Sequence, residues 1–381
     1  MKRLFSLLLV VGLGLCCCVP VCAEPQETPL PTPTVSAESA ILVNGEDGAV
    51  YYEKNADEPM GMASTTKLMT ALVAIENADP EKSIAIPPAA VGVEGSSVYL
   101  VAGEQLTLRQ LLYALLLSSA NDAATAIAIA ISGSVEDFAT LMNARAETMG
   151  LTNTHFTNPH GLYDENHYTT ARELSVIARA VLAVPLLREI VSTYKTTIPH
   201  VEASEGRLLV NHNKLLRTYD GAIGMKTGFT KKTGRTLVSA AERNGLTLVA
   251  VTLNAPDDWR DHTALLDYGF SRYEVVGLPN DGSFFYQMDV VGGEADRLTL
   301  TNLTELTMVV PRDHGKISYT VESSGRFAFA PIREGEVLGT LTVRCDGRAV
   351  TTYLVATREV AQETPPKESP WDRLKNFFRI E

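Results

Sequence analysis

The chain has 381 residues, 45% hydrophobic and 20% charged, enough to bury a sizeable core and long enough for two domains. Its formal charge of -12 argues against a nucleic-acid partner, because phosphate binding needs a basic patch. No His-Glu-x-x-His, paired Cys-x-x-Cys or phosphate-cradling glycine loop occurs, so no metal and no cofactor is expected, and the chemistry is sought in side chains.

Residues 1–23 read as an export signal: Lys2 and Arg3, an apolar run, then Val21-Cys22-Ala23 as a small-residue cleavage site. An uncleaved anchor is the alternative, but the run is short for a bilayer span. Cleavage would remove Cys16, Cys17, Cys18 and Cys22. Cys345 would then stand alone, so no internal disulfide is expected. Residues 24–38, rich in Pro and Thr, are expected to form an extended spacer.

Residues 40–55 alternate about Asp47-Gly48 and read as a hairpin. From Ser64 onward, Leu68, Ala71, Leu72 and Ile75 recur at helical spacing. The block at 107–132 is apolar nearly all round, which suits a helix buried at a domain centre, with a polar interruption from Ser118 to Asn121. Ser134 with Asp137 and Thr170 with Glu173 mark further helix starts. From Gly221 the runs GAIGMKTGF, RTLVSAAE and LTLVAVTL read as an antiparallel meander. Helices and strands thus combine in one α+β domain over 39–275.

Residues 276–360 hold only short alternating runs such as RLTLTNL and EVLGTLTVRC, which suggests a small all-β sandwich. Residues 361–381 open with a proline-bearing spacer and end in a helix whose Trp371, Leu374, Phe377 and Phe378 share a face, with Arg373, Lys375 and Arg379 off it. That face suits either a membrane surface or the β domain, and the spacer favours the membrane.

Candidate chemistry starts from a repeat: Lys-Thr-Gly occurs at Lys226 and again at Lys232. On its own the tripeptide also describes an ordinary turn. Ser64 and Lys67 lie three residues apart, hence on one side of a helical turn, where a lysine can take the serine's proton. Ser192 and Lys195 share this spacing, but a strand-like run follows them. Ser119 and Asn121 sit in the polar break between apolar blocks, and polar groups buried there need partners. Helix capping by Ser118 or Ser119 is the other reading. Lys226 falls within a strand and Lys232 in the connector after it, so only the first copy can line a cleft along a sheet edge.

The ordered set Ser64–Lys67, Ser119–Asn121 and Lys226–Gly228 resembles the penicillin-binding protein and serine β-lactamase superfamily. Within it the chain resembles the low-molecular-mass D-alanyl-D-alanine carboxypeptidases, as do FTNPHGL at 156, NHNKLL at 211 and LLDYGF at 265. Ala120 departs from the glycine or aspartate of many members; it is small enough to leave the flanking side chains in place. The resemblance implies a transpeptidase-like α+β domain (antiparallel sheet with helices), a small β-sandwich and an amphipathic C-terminal helix. It implies Ser64 as acylating nucleophile, Lys67 as its base and Ser119 as proton relay to the leaving amine. Asn121 would hold the peptide amide, and Lys226 and Thr227 the terminal carboxylate. Gly228 would let a peptide lie on the strand, and the N–H groups of Ser64 and Phe229 would form the oxyanion hole.

The implied partners are peptidoglycan stem peptides ending in D-Ala-D-Ala, β-lactams as covalent inhibitors, and the membrane, on the extracytoplasmic side. A serine β-lactamase shares the motifs, but the Glu-x-x-x-Asn spacing of class A is absent between Asn121 and Lys226. A non-catalytic penicillin sensor on the same fold is the alternative of another class. A Ser-His-Asp hydrolase is disfavoured because no Gly-x-Ser-x-Gly elbow occurs.

Overall fold

The computed structural model describes residues 30–364. The export signal expected at 1–23 and the amphipathic helix expected around Trp371 and Phe378 lie outside the described residues. In chain order the elements are β1 (Ser39–Asn44), β2 (Val50–Lys54), a 3-10 turn (Ala63–Thr66), α1 (Lys67–Asn77), β3 (Ser83–Ala85), β4 (Gln105–Thr107), α2 (Leu108–Leu117) and α3 (Asn121–Ser132). There follow α4 (Val135–Thr148), α5 (Ala171–Ala183), α6 (Pro185–Ser192), β5 (Lys195–Ile198), β6 (Arg207–Val210), α7 (Leu215–Thr218), β7 (Ala222–Thr230), β8 (Gly234–Arg243), β9 (Leu246–Leu253) and α8 (Asp258–Arg272). The remainder is β10 (Tyr273–Leu278), β11 (Tyr286–Val291), β12 (Arg297–Asn302), β13 (Leu306–Pro311), β14 (Ser318–Ser323), β15 (Phe327–Phe329), β16 (Val337–Cys345) and β17 (Arg348–Ala356).

The main sheet runs β2-β1-β9-β8-β7, with antiparallel neighbours throughout. Every residue of β9 is buried, because helices cover both of its faces. Val249, Val251 and Leu253 join a core with α1, α2, α3 and α5, while Leu248 and Ala250 join one with Leu265 and Leu266 of α8. The period-2 alternation of a strand thereby splits the domain into two cores. β7 is left at the sheet edge, next to the 3-10 turn.

Helix starts follow local chemistry. Ser134 and Thr170 accept the N–H of Asp137 and Glu173, and Thr107 and Gln110 close a reciprocal capping box. Ser118 ends α2, while α3 begins at Asn121 with no side-chain cap. Neither Ser118 nor Ser119 therefore caps α3. Ser192 closes α6 and Lys195 opens β5, so that pair does not share a helical turn.

Residues 35–38, expected as the end of a spacer, are instead tied into the domain. Val35 and Ala37 are buried, and Asp261 of α8 accepts from Ser36 N at 2.8 Å, Ser36 Oγ at 2.7 Å and Ala37 N at 2.9 Å. The buried carboxylate finds its donors in this segment, which is why composition alone misreads it. After α8, β10 pairs with β13, and a six-stranded sheet runs β14-β16-β17-β12-β11-β15 around its own core of Leu298, Leu300, Leu341 and Leu354.

Candidate active site

Ser64 lies in the 3-10 turn and Lys67 begins α1. Lys67 is fully buried. Its Nζ sits 3.0 Å from Ser64 Oγ, 2.7 Å from Asn121 Oδ1 and 2.6 Å from the carbonyl oxygen of His160. Burial first, and then the neighbouring Lys226 cation, hold its ammonium well below the usual lysine range, against the opposing charge of Asp122. A neutral amine fits these partners: two N–H groups donate to Asn121 and His160, and the lone pair accepts from the serine hydroxyl.

The Asn121 side chain is committed on both sides, since its Nδ2 donates to Glu94 O at 2.5 Å while Oδ1 takes Lys67. It therefore orients the base, and the second Nδ2–H remains for the substrate amide that the sequence pointed to. Asp122 fixes the loop in front of it, accepting from Ser97 Oγ at 2.6 Å and Leu100 N at 3.1 Å. Ser119 is almost wholly buried, and among the described residues no hydrogen bond to its hydroxyl is formed, which leaves it free for a substrate atom.

Lys226 lies on β7, 1% exposed, and burial pulls its pKa down to about 7. Its Nζ donates to Thr227 O at 2.8 Å, and its cation also contributes, after burial, to lowering His212. Gly228 faces the nucleophile. A Cβ there would stand 2.3 Å from Thr236 Oγ1 and 2.9 Å from Ser64 N, so only glycine lets β7 close on the 3-10 turn. Thr236 Oγ1 completes this seam by donating to Met62 O at 3.0 Å. No backbone acceptor takes the Ser64 N–H among the described residues, so it remains available beside Gly228. Phe229 follows and is 63% exposed.

The loop 156–162 seats the turn from below. Gly161 has φ +85°, and a Cβ on it would meet Ala63 O. Asn158 Oδ1 accepts from His160 N and Gly161 N, which aims the His160 carbonyl at Lys67. His167 Nδ1 accepts from Thr157 N at 3.0 Å, so its Nε2–H donates to Thr66 Oγ1 at 2.7 Å. Burial lowers His167 to about 4 and His160 to about 3, and both stay neutral supports. Sequence reasoning noted the FTNPHGL stretch but missed the role of the His160 carbonyl, because a backbone acceptor leaves no side-chain signature.

Non-glycine residues with positive φ mark all three motifs: Ala63 at 46°, next to Ser64, Ser119 at 58°, and Met225 at 92°, next to Lys226. Such conformations cost about 1–3 kcal/mol each and persist where the surroundings enforce them. Ser64, Lys67, Asn121, Lys226 and Gly228 thus converge on one groove along the β7 edge. A cavity of about 1120 Å³, lined in part by Arg179, Glu242, Met308 and Arg348, borders none of these residues.

The sequence pattern of the Peptidase S11 family, described as D-alanyl-D-alanine carboxypeptidase, matches residues 25–257. Among curated relatives, DacF of Bacillus subtilis is 31% identical over 94% of this chain and 94% of its own length. DacA of Escherichia coli is 30% identical over 87% and 85%. Among solved structures, penicillin binding protein 5 of Haemophilus influenzae superposes with a TM-score of 0.64 at 26% identity, covering 87% of this chain and all 100% of that one. A mutant of the Streptomyces K15 DD-transpeptidase gives 0.60 at 33% identity, covering 63% of this chain and 100% of its own.

Proposed function

The chain belongs to the D-alanyl-D-alanine carboxypeptidase family, serine peptidases of bacterial cell-wall metabolism, and on that premise we propose that Ser64 is its acylating nucleophile and Lys67 the base that activates it. The observation that carries this reading is the 3.0 Å contact between Lys67 Nζ and Ser64 Oγ, in a setting that keeps the amine uncharged.

Ser64 Oγ attacks the carbonyl carbon of the terminal D-Ala-D-Ala bond as its proton passes to Lys67. The N–H groups of Ser64 and Phe229 receive the developing oxyanion, which Gly228 leaves room to approach. Lys226 and Thr227 hold the terminal carboxylate. Ser119 relays the proton to the leaving amine, D-alanine departs, and water then hydrolyses the Ser64 ester to release the shortened stem peptide. A β-lactam enters by the same attack and remains as the ester.

In this reading residues 1–23 export the chain and residues 39–275 carry the reaction. Residues 276–360 hold the site away from the lipid, and the 361–381 tail rests on the extracytoplasmic face of the membrane. Fractionating cells that produce the protein with and without 361–381 tests the tail: a truncated form that stays with the membrane would contradict it. The catalytic claim is tested by D-alanine release from a pentapeptide ending in D-Ala-D-Ala. Ser64→Ala abolishes release, and Lys67→Ala lowers kcat by about 10²–10⁴-fold. Substantial turnover by Ser64→Ala would refute it.

A further inference from the structure

The second Lys-Thr-Gly, at Lys232 to Gly234, has no part in the reaction above. β7 ends at Thr230 and β8 starts at Gly234, with a tight turn between. The turn is locked, because Thr233 N donates to Thr230 Oγ1 at 3.0 Å and the two threonine hydroxyls pair at 2.9 Å. It is also seated on the approach to the nucleophile: a Cβ at Gly61 would lie 2.3 Å from Thr233 Cγ2.

Lys231 and Lys232 are exposed, and no ion pair among the described residues uses either. Lys232 Nζ instead stands over the Tyr163 ring, 5.8 Å from its centroid. Tyr163 is 55% exposed and lies two residues beyond Gly161, which packs on Ala63 O. The lysine and the tyrosine therefore reach toward each other across the entrance to Ser64. A cation over an aromatic face is positioned without losing its N–H donors.

The proposed reaction fixes which part of a substrate arrives here. A terminal carboxylate at Lys226–Thr227 and a scissile carbonyl at the Phe229 N–H orient the peptide along β7, so its acyl side runs on past Phe229 toward the turn. At about 3.3 Å per extended residue, the second and third residues before the scissile bond lie about 3 and 7 Å past Phe229, beside Thr230 and Lys231, where the long Lys231 and Lys232 side chains can reach them. In a chain of net charge -12, two unpaired cations at this mouth form a local attractive patch for an anion.

We infer that Lys231 and Lys232, the latter held over Tyr163, form a carboxylate subsite for the acyl side of the stem peptide. The enzyme then favours stems in which that group is a free carboxylate over those in which it is an amide. This inference rests on Ser64 as nucleophile and on the carboxylate-binding role of Lys226 and Thr227.

The test uses the exported chain and two synthetic pentapeptides ending in D-Ala-D-Ala. They are identical except that the second and third residues before the scissile bond carry free carboxylates in one and primary amides in the other. The wild type is expected to favour the carboxylate peptide in kcat/KM by about tenfold, mostly through KM, with the preference shrinking as salt rises. In K231A/K232A the ratio falls toward one, and in K231R/K232R it is retained. Equal kcat/KM for the two peptides in the wild type, or an unaltered ratio in K231A/K232A, overturns the subsite. Each preparation is titrated by its penicillin adduct, which counts folded active sites. A wild type that forms no adduct and releases no D-alanine overturns the parent reading and the subsite together. A normal titre with no carboxylate preference overturns the subsite alone.

Discussion

Lys67 is 0% exposed and its hydrogen-bond partners are all neutral, so an ammonium there would be dehydrated without a paired carboxylate in return. That is the physical origin of its basicity toward Ser64. The Lys226 cation adds to it, which gives a signed prediction. Replacing Lys226 by Ala removes a positive neighbour, so Lys67 holds its proton more tightly and the acid limb of the acylation rate against pH moves to higher pH. A limb that stays in place or moves down would contradict this coupling. The Ser64–Lys67 spacing was legible in the sequence because three residues on a helical turn meet whatever surrounds them. The partners of Asn121 were not legible, since only the fold shows that Lys67 and Glu94 O take both ends of its amide.

The groove depends on three elements meeting: the 3-10 turn, the edge strand β7 and the loop 156–162. Two glycines make the contacts possible, Gly228 from one side and Gly161 from the other. At Gly161 the φ of +85° and the carbonyl of Ala63 both exclude a side chain. Gly161→Ala is therefore expected to cost about 1–3 kcal/mol of stability and to slow penicillin acylation, read by urea denaturation and stopped-flow on the same preparation. Unchanged values for both would show that the loop does not seat the turn. The β7-β8-β9 meander and the α2–α3 break were readable because hydrophobic periodicity changes at them. β10 and β11 were missed: β10 follows α8 without a turn signal, and β11 lies beside glycines that obscure its alternation.

Across the whole molecule, burial of neutral histidines ties stability to pH. His262 is fully buried, pairs with Ser239 Oγ and Thr252 Oγ1, and is lowered to about 3 chiefly by burial. His160 and His167 are lowered to about 3 and about 4. All three take up protons in the unfolded chain near pH 6.5 while the folded chain does not, so their effect on stability is absent above that pH and grows as pH falls toward 4. Each contributes a slope of up to about 1.4 kcal/mol per pH unit. Urea midpoints are expected to drop from pH 7 to pH 5, less steeply in His262→Gln; a flat profile would contradict the assignment. At this scale the two-part α+β and all-β organisation was evident from the change in periodicity along the chain. The anchoring of residues 35–38 was not, because it depends on Asp261, more than 220 positions away. The central claim, that the amine of Lys67 turns Ser64 into the nucleophile, is tested most directly by incubating the protein with a penicillin, digesting it and locating the added mass. A single adduct on the peptide containing Ser64, lost in Ser64→Ala and formed far more slowly in Lys67→Ala, is the predicted result. An adduct on a peptide containing Ser119 or Ser192, or one that persists in Ser64→Ala, would contradict it.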